Sequence, residues 1–257
     1  MNQSHPALEC EGLTKRFGGL TAVNGINLRI GVGERRAIIG PNGAGKTTLF
    51  SLISGQYPVS SGLIRFFGTE ITHMPCHRRT SLGLGRTFQI TTLFPTQSVL
   101  DNLIIAAMGL KGMKYQMVRP LATYRELYGR ADEILGRVGI GEKRGEIVKN
   151  LSHGEQRQVE IALALISNPS VILLDEPTAG LSPAESTMMT ATLKKLDPNI
   201  TILIIEHDMD VAFQVADRIT VLHQGCLFSE GTPAEIRSNE RVQEIYFGEE
   251  EKTCAEG

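Results

Sequence analysis

Apolar positions in this chain fall into two textures. Residues Ala7–Leu13 and Val23–Ile30 partly alternate between apolar and polar, as half-buried strands do. A turn at Gly31–Gly33 leads into Arg36–Ile39, a short apolar strand. A glycine-rich loop, Gly40–Gly45, then opens onto a helix predicted from Lys46 to about Ser54 and stopped by Gly55. Another strand is expected near Leu63–Phe67. From Leu100 to about Asn150 the strand signals vanish. Leu127, Ala131, Ile134, Leu135 and Val138 recur there at helical spacing among many Arg, Lys and Glu residues. This stretch reads as a helical subdomain inserted into an α/β core.

The α/β pattern returns after Asn150. A helix is predicted over about Gly154–Ser167, stopped by Asn168 and Pro169. The run Val171–Leu174 is almost purely apolar, as a strand buried on both faces should be. Helix Pro183–Leu196, strand Ile200–Ile205 and a helix over about Met209–Ala216 come next. Strands Ile219–His223 and Cys226–Ser229, joined by Gln224–Gly225, read as a hairpin. Helix Pro233–Ser238 and the stretch Val242–Tyr246 close the core. Residues 249–257 read as a short disordered tail. The domain is thus placed at 1–248, with its core at about 1–90 and 160–248 and the helical subdomain at about 90–160.

The loop between the third strand and its helix carries chemistry. Gly40, Pro41, Asn42, Gly43, Ala44, Gly45, Lys46 and Thr47, followed by Thr48, fit the pattern GxxxxGK[ST]. Successive glycines let backbone N–H groups converge on phosphates, and the helix N-terminus adds partial positive charge. Lys46 can reach the β- and γ-phosphates, and Thr47 can hold Mg²⁺. Farther on, Asp175 and Glu176 close a buried strand. Asp175 suits the Mg²⁺ shell, and Glu176 suits a general base for an attacking water. Together these two motifs define a P-loop NTPase.

A third motif narrows the class. Leu151-Ser-His-Gly-Glu-Gln156 resembles the signature of ABC (ATP-binding cassette) ATPases, about 20 residues before Glu176 and at a helix start. The resemblance spans about residues 7–247. It implies a RecA-like core with an N-terminal antiparallel β subdomain and an inserted α-helical subdomain. It also implies that Ser152 and the N–H groups around Gly154 meet ATP bound to an opposite subunit. Gln89 sits where the family's Q-loop glutamine ligates Mg²⁺, His207 where the switch histidine lies, and Phe17 where an aromatic stacks on adenine. His153 and Glu155 depart from the family's usual signature residues. Ser182 stands where many relatives have Asp, so cross-talk between paired sites is expected to be weaker or differently wired.

Within that family the details are similar to ATPases of branched-chain (hydrophobic) amino-acid uptake, with urea and short-chain amide importers close by. The residues that carry this likeness are Thr14–Leu20, Gly85–Gln89, the basic insertion near Met113–Arg130, Ile205–Met209, and the ending Gly231–Ile236 with Val242–Gly248. The implied partners are transmembrane permeases, a second cassette and, indirectly, a solute-binding protein. The implied location is the cytoplasmic face of the inner membrane. A lipopolysaccharide-export ATPase and a soluble ABC protein are the alternatives. A GTPase would carry an NKxD-like motif, which is absent.

Bulk properties restrict the rest. Across 257 residues the net charge is −2, which gives no electrostatic case for nucleic acid as the main partner while leaving room for a local basic patch. No apolar run approaches the roughly 18 residues of a membrane span, and Met1–Cys10 shows no secretory pattern. The four cysteines are spread without metal-ligand spacing and read as free thiols in a reducing compartment. His73, Cys76 and His77 are discounted as a metal cluster because Met74 and Pro75 break the helix it would need.

Overall fold

The structure is a computed structural model that describes residues 5–87, 93–110 and 125–253. Two sheets organise it. Strands β1 (Leu8–Phe17), β2 (Leu20–Ile30), β4 (Ser61–Phe66) and β5 (Thr69–Glu70) form an antiparallel sheet of order β2-β1-β4-β5. The second sheet runs β10-β9-β3-β8-β7-β6. It comprises β3 (Arg35–Ile39), β6 (Leu84–Arg86), β7 (Val171–Asp175), β8 (Thr201–Ile205), β9 (Arg218–His223) and β10 (Cys226–Gly231). All of its pairings are parallel except β9 with β10.

Strands β7 and β8 are buried at every residue because both faces of the parallel sheet are covered. Side chains alternate across a strand, so neighbours serve different cores. Ile172, Leu174, Ile202 and Ile204 pack toward the helical side, with Leu103, Ala131 and Val159. Val171, Leu173, Leu203 and Ile205 pack toward the antiparallel sheet, with Leu49, Phe50 and Ile53 of helix α1 (Lys46–Ser54).

Helix α1 ends at Gly55, whose φ of 79° needs no Cβ. Arg79, on helix α2 (Cys76–Ser81), is buried behind that end. Its guanidinium donates to the carbonyls of Leu52, Ile53, Thr72 and Met74 at 2.7–2.9 Å. A cation on orphan helix carbonyls satisfies both their hydrogen bonds and the helix dipole. Pro75 caps α2 rather than interrupting a helix, and His73 precedes it.

The inserted helical part contains α3 (Val99–Leu110), α4 (Arg125–Arg137) and two 3₁₀ turns leading to α5 (His153–Leu165). Most of the expected basic insertion, residues 111–124, lies outside the described residues. Helices α6 (Pro183–Lys194), α7 (Met209–Val215) and α8 (Pro233–Arg237) keep the predicted order. The β9–β10 turn has positive φ at both Gln224 (48°) and Gly225 (79°), the geometry of a tight hairpin. Helix α9 (Glu240–Thr253) continues past residue 248, where the sequence pattern ends the domain and begins a disordered tail.

Candidate functional site

Adjacency in the parallel sheet assembles the site. Strands β3, β8 and β7 lie side by side, so the segments leaving their C-terminal ends meet at one edge. The loop Gly40–Gly45 leaves β3, Asp175 ends β7, and Glu206 and His207 come directly after β8.

The loop's glycines are required by its surroundings. A Cβ on Gly40 would lie 2.2 Å from the Leu222 carbonyl oxygen, and one on Gly45 2.5 Å from that of Ala22. Gly43, at φ 79°, faces open space. Gly45 caps α1 without a side chain, so the first N–H groups of the helix keep their capacity for an anion. Lys46 is buried, and its ammonium donates to the carbonyls of Gly40 (2.6 Å) and Pro41 (3.0 Å). Burial lowers the Lys46 pKa, while Glu176 and Asp175 pull it back up.

Asp175 is 2% exposed. Burial raises its pKa, and Arg86 opposes that rise. Its Oδ2 accepts from the Arg86 guanidinium at 3.2 Å, while its Oδ1 is buried without a hydrogen-bond partner. A buried acceptor left unsatisfied is costly, and a hydrated cation at the phosphates would complete it, so the donor set fits Mg²⁺. Arg86 also donates to Ser54 (2.8 Å) and Gln56 (2.7 Å) at the far end of α1. Sequence reasoning gives Arg86 no role; a lone Arg in a three-residue strand has no pattern to reveal it.

Glu176 has a left-handed φ of 49°, uncommon outside glycine. Its Oε1 lies 2.6 Å from His207 Nε2. Both line a cavity of about 390 Å³ with Thr178, Glu206 and Asp208. Phe17 ends β1, half exposed, with Tyr57 edge-on at 5.5 Å and the Lys15 ammonium 4.9 Å from its ring centre. The β1–β2 tip reaches the phosphate loop, because Ala22 of β2 abuts Gly45. Gln89 lies outside the described residues.

Ser152 and Gly154 form a separate cluster. Ser152 caps α5, and Glu155 turns back onto the Ser152 N–H at 2.8 Å, with Lys143 3.5 Å away. The Glu155 departure therefore points its carboxylate at its own cap. Ser182 caps α6 in a second capping box with Glu185. Glu185 bonds the Ser182 N–H and hydroxyl (3.0 and 2.8 Å) through one oxygen, and the Gly154 N–H (3.2 Å) through the other. A carboxylate is thus present beside Ser182, three residues from the expected place. The Ser-x-x-Glu pattern is its available signal.

The ABC transporter family description matches residues 23–179. The chain belongs to the ABC transporter family. A second description, branched-chain amino acid ATP-binding cassette transporter, matches residues 227–252 of this cassette. The cassette is 40% identical over 254 residues to the high-affinity branched-chain amino acid transport ATP-binding protein BraF of Pseudomonas aeruginosa. That match covers 96% of this chain and 99% of BraF. It is 38% identical to LivG of Escherichia coli K12, which carries the same description, over 96% of this chain and 99% of LivG. In three dimensions it resembles the ADP conformation of MJ1267, an ATP-binding cassette of an ABC transporter. There the TM-score is 0.84 at 30% identity, covering 95% of this chain and all of the other. The cassette is an ATP-hydrolysing subunit of an ABC importer.

Proposed function

We propose that this cassette powers uptake of branched-chain or other hydrophobic amino acids. The observation that carries this reading is the match of the C-terminal segment, 227–252, together with full-length similarity to BraF. Phe17 stacks on adenine, and the Gly40–Thr48 segment with Lys46 holds the phosphates. Thr47, Asp175 and Gln89 would hold Mg²⁺, which supplies positive charge against the phosphates. Glu176 takes the proton of the attacking water as the bond from the γ-phosphorus to the ADP oxygen breaks. His207, in contact with Glu176, orients that carboxylate. Ser152 and Gly154 meet the nucleotide of a second cassette.

The permease contact falls on a cavity of about 260 Å³ between α3, α5 and β6, lined among others by Phe94, Ile105, Leu163 and Arg86. Phe94 and Ile105 stand half exposed there, and a short permease helix would cover them. No helix among the described residues is long and apolar enough to cross a membrane. Attachment at the cytoplasmic face then comes through the permeases.

Cells lacking this chain test the reading through uptake of radiolabelled leucine. Uptake is expected to be lost, restored by the wild-type chain, and not restored by Glu176→Gln. Intact leucine uptake with failed urea uptake or lipopolysaccharide export would overturn the solute assignment.

A further inference from the structure

Glu206 is a buried carboxylate to which the proposed hydrolysis assigns no part. It comes directly after strand β8 and is 3% exposed, whereas the next side chain, His207, is 45% exposed. The two neighbours point to different parts of one turn. His207 reaches the Glu176 side chain. Glu206 reaches Thr178, accepting from its N–H at 3.3 Å and from its hydroxyl at 2.9 and 3.0 Å.

That turn starts at Glu176, whose carbonyl accepts from the Ala179 N–H at 3.1 Å, and Thr178 lies inside it. Glu176 enters the turn with its left-handed φ. A non-glycine residue persists in that conformation only when its surroundings over-determine it. The Glu176 N–H is fixed by the Ile205 carbonyl at 3.0 Å. Glu206 fixes the other side of the turn, through two donors on one residue.

We propose that Glu206 is a positioning residue for ATP hydrolysis, pinning the turn that carries Glu176 so that Glu176 and His207 stay in register. This rests on Glu176 being the base in the proposed function. Thr178 could be held by any acceptor, so an amide in place of the carboxylate should serve. A methyl group should not.

Protonation adds a second handle. Burial pushes the Glu206 pKa up to about 7, and the Thr178 donors oppose that rise. The other ionisable groups lining the same cavity are Glu176, His207, Asp208 and Asp210; helix α6 presents Pro183, Ser186, Thr187 and Thr190 there, none of them ionisable. Ionised Glu206 accepts at both oxygens. The neutral acid keeps one acceptor, as the Gln amide does, and the Thr178 N–H and hydroxyl both reach the same oxygen.

The test compares the full-length chain with Glu206→Ala, Glu206→Gln and, in parallel, Glu176→Gln, reading kcat, KM for ATP and their pH profiles. Glu206→Ala is expected to lower kcat by about 10–100-fold with KM within about twofold, and Glu206→Gln to recover kcat to within about threefold. The neutral acid keeps one acceptor as the Gln amide does, so wild-type kcat should change by no more than about threefold as pH drops through about 7. Parental kcat in Glu206→Ala overturns the proposal, as does equal impairment of both variants. Should Glu206→Ala fail to fold, Thr178→Val, which removes the hydroxyl donor, is expected to lower kcat likewise with KM for ATP little changed, and parental kcat there overturns the proposal. Parental turnover in Glu176→Gln would remove the base assignment, while loss in Ala with rescue in Gln would still decide the positioning claim.

Discussion

The Glu185 carboxylate lies 3.2 Å from the backbone N–H of Gly154, the second residue of helix α5. In the proposed pairing of two cassettes, that N–H faces the partner's γ-phosphate. An internal anion therefore occupies the place of an incoming one. Hydrogen bonds from Ser182 and Gly154 lower the Glu185 pKa, so it is ionised at neutral pH. Two anions cannot share one donor cheaply. Removing the charge should ease pairing. In a Glu176→Gln background, Glu185→Gln is expected to form the ATP-dependent dimer at about tenfold lower ATP, as read by light scattering. An unchanged or higher ATP requirement would show that Glu185 is no competitor.

Arg86 supplies the charge partner of a carboxylate almost sealed from solvent. Truncating one member of such a pair leaves the other unsatisfied. Arg86→Ala should lower unfolding free energy by about 3 kcal/mol in urea titrations. Arg86→Lys should recover part of this, since an ammonium keeps the charge but cannot fork between Asp175 and Ser54. A loss under about 0.5 kcal/mol in the Ala variant would mean the pair contributes nothing beyond a surface bridge.

Phe17 offers a half-exposed ring at the tip beside the phosphate loop. Stacking contributes about 1–1.5 kcal/mol, so Phe17→Ala is expected to raise KM for ATP about 5–10-fold with kcat nearly unchanged. A parental KM would place adenine elsewhere.

Glu206 links stability to pH. Its folded pKa of about 7 exceeds the ordinary value of 4.5, so between the two the folded chain keeps a proton that the unfolded chain has released. The contribution of this group to stability is full below about 4.5 and is lost as pH rises through about 7. Relative to Glu206→Gln, wild-type stability should decline by roughly 3 kcal/mol across that window. Parallel stability curves for the two proteins would show that the carboxylate keeps an ordinary pKa.

The fold is legible in the sequence where one physical signal dominates. The apolar runs at Val171–Leu174 and Ile200–Ile205 read as buried strands and are so over Val171–Asp175 and Thr201–Ile205, and Gly40–Thr47 admits few other conformations next to phosphate. The sequence is silent where structure depends on partners distant in the chain. Strand β6 is three residues including a glycine, and exists because it pairs with β7. Helix α2 is six residues, held by Arg79 reaching back to α1. In the candidate site, Lys46, Asp175, Glu176 and His207 can be named from their motifs. Glu185 shows its capping pattern but not its reach to Gly154, and Arg86 and Glu206 show no pattern at all, because each of the three acts through a residue 28 to 89 positions away.

Helix α2 faces two ways. It presents Cys76 and Thr80 to the cavity proposed for the permease, while its Arg79 grips the last carbonyls of α1. The nine residues of α1 span about 14 Å, with Lys46 at the far end. Cavity wall and nucleotide helix are thereby welded into one stiff lever. In the proposed assembly, a tilt imposed at the permease cavity would be carried by the Arg79 contacts along α1 to the residue that holds the phosphates.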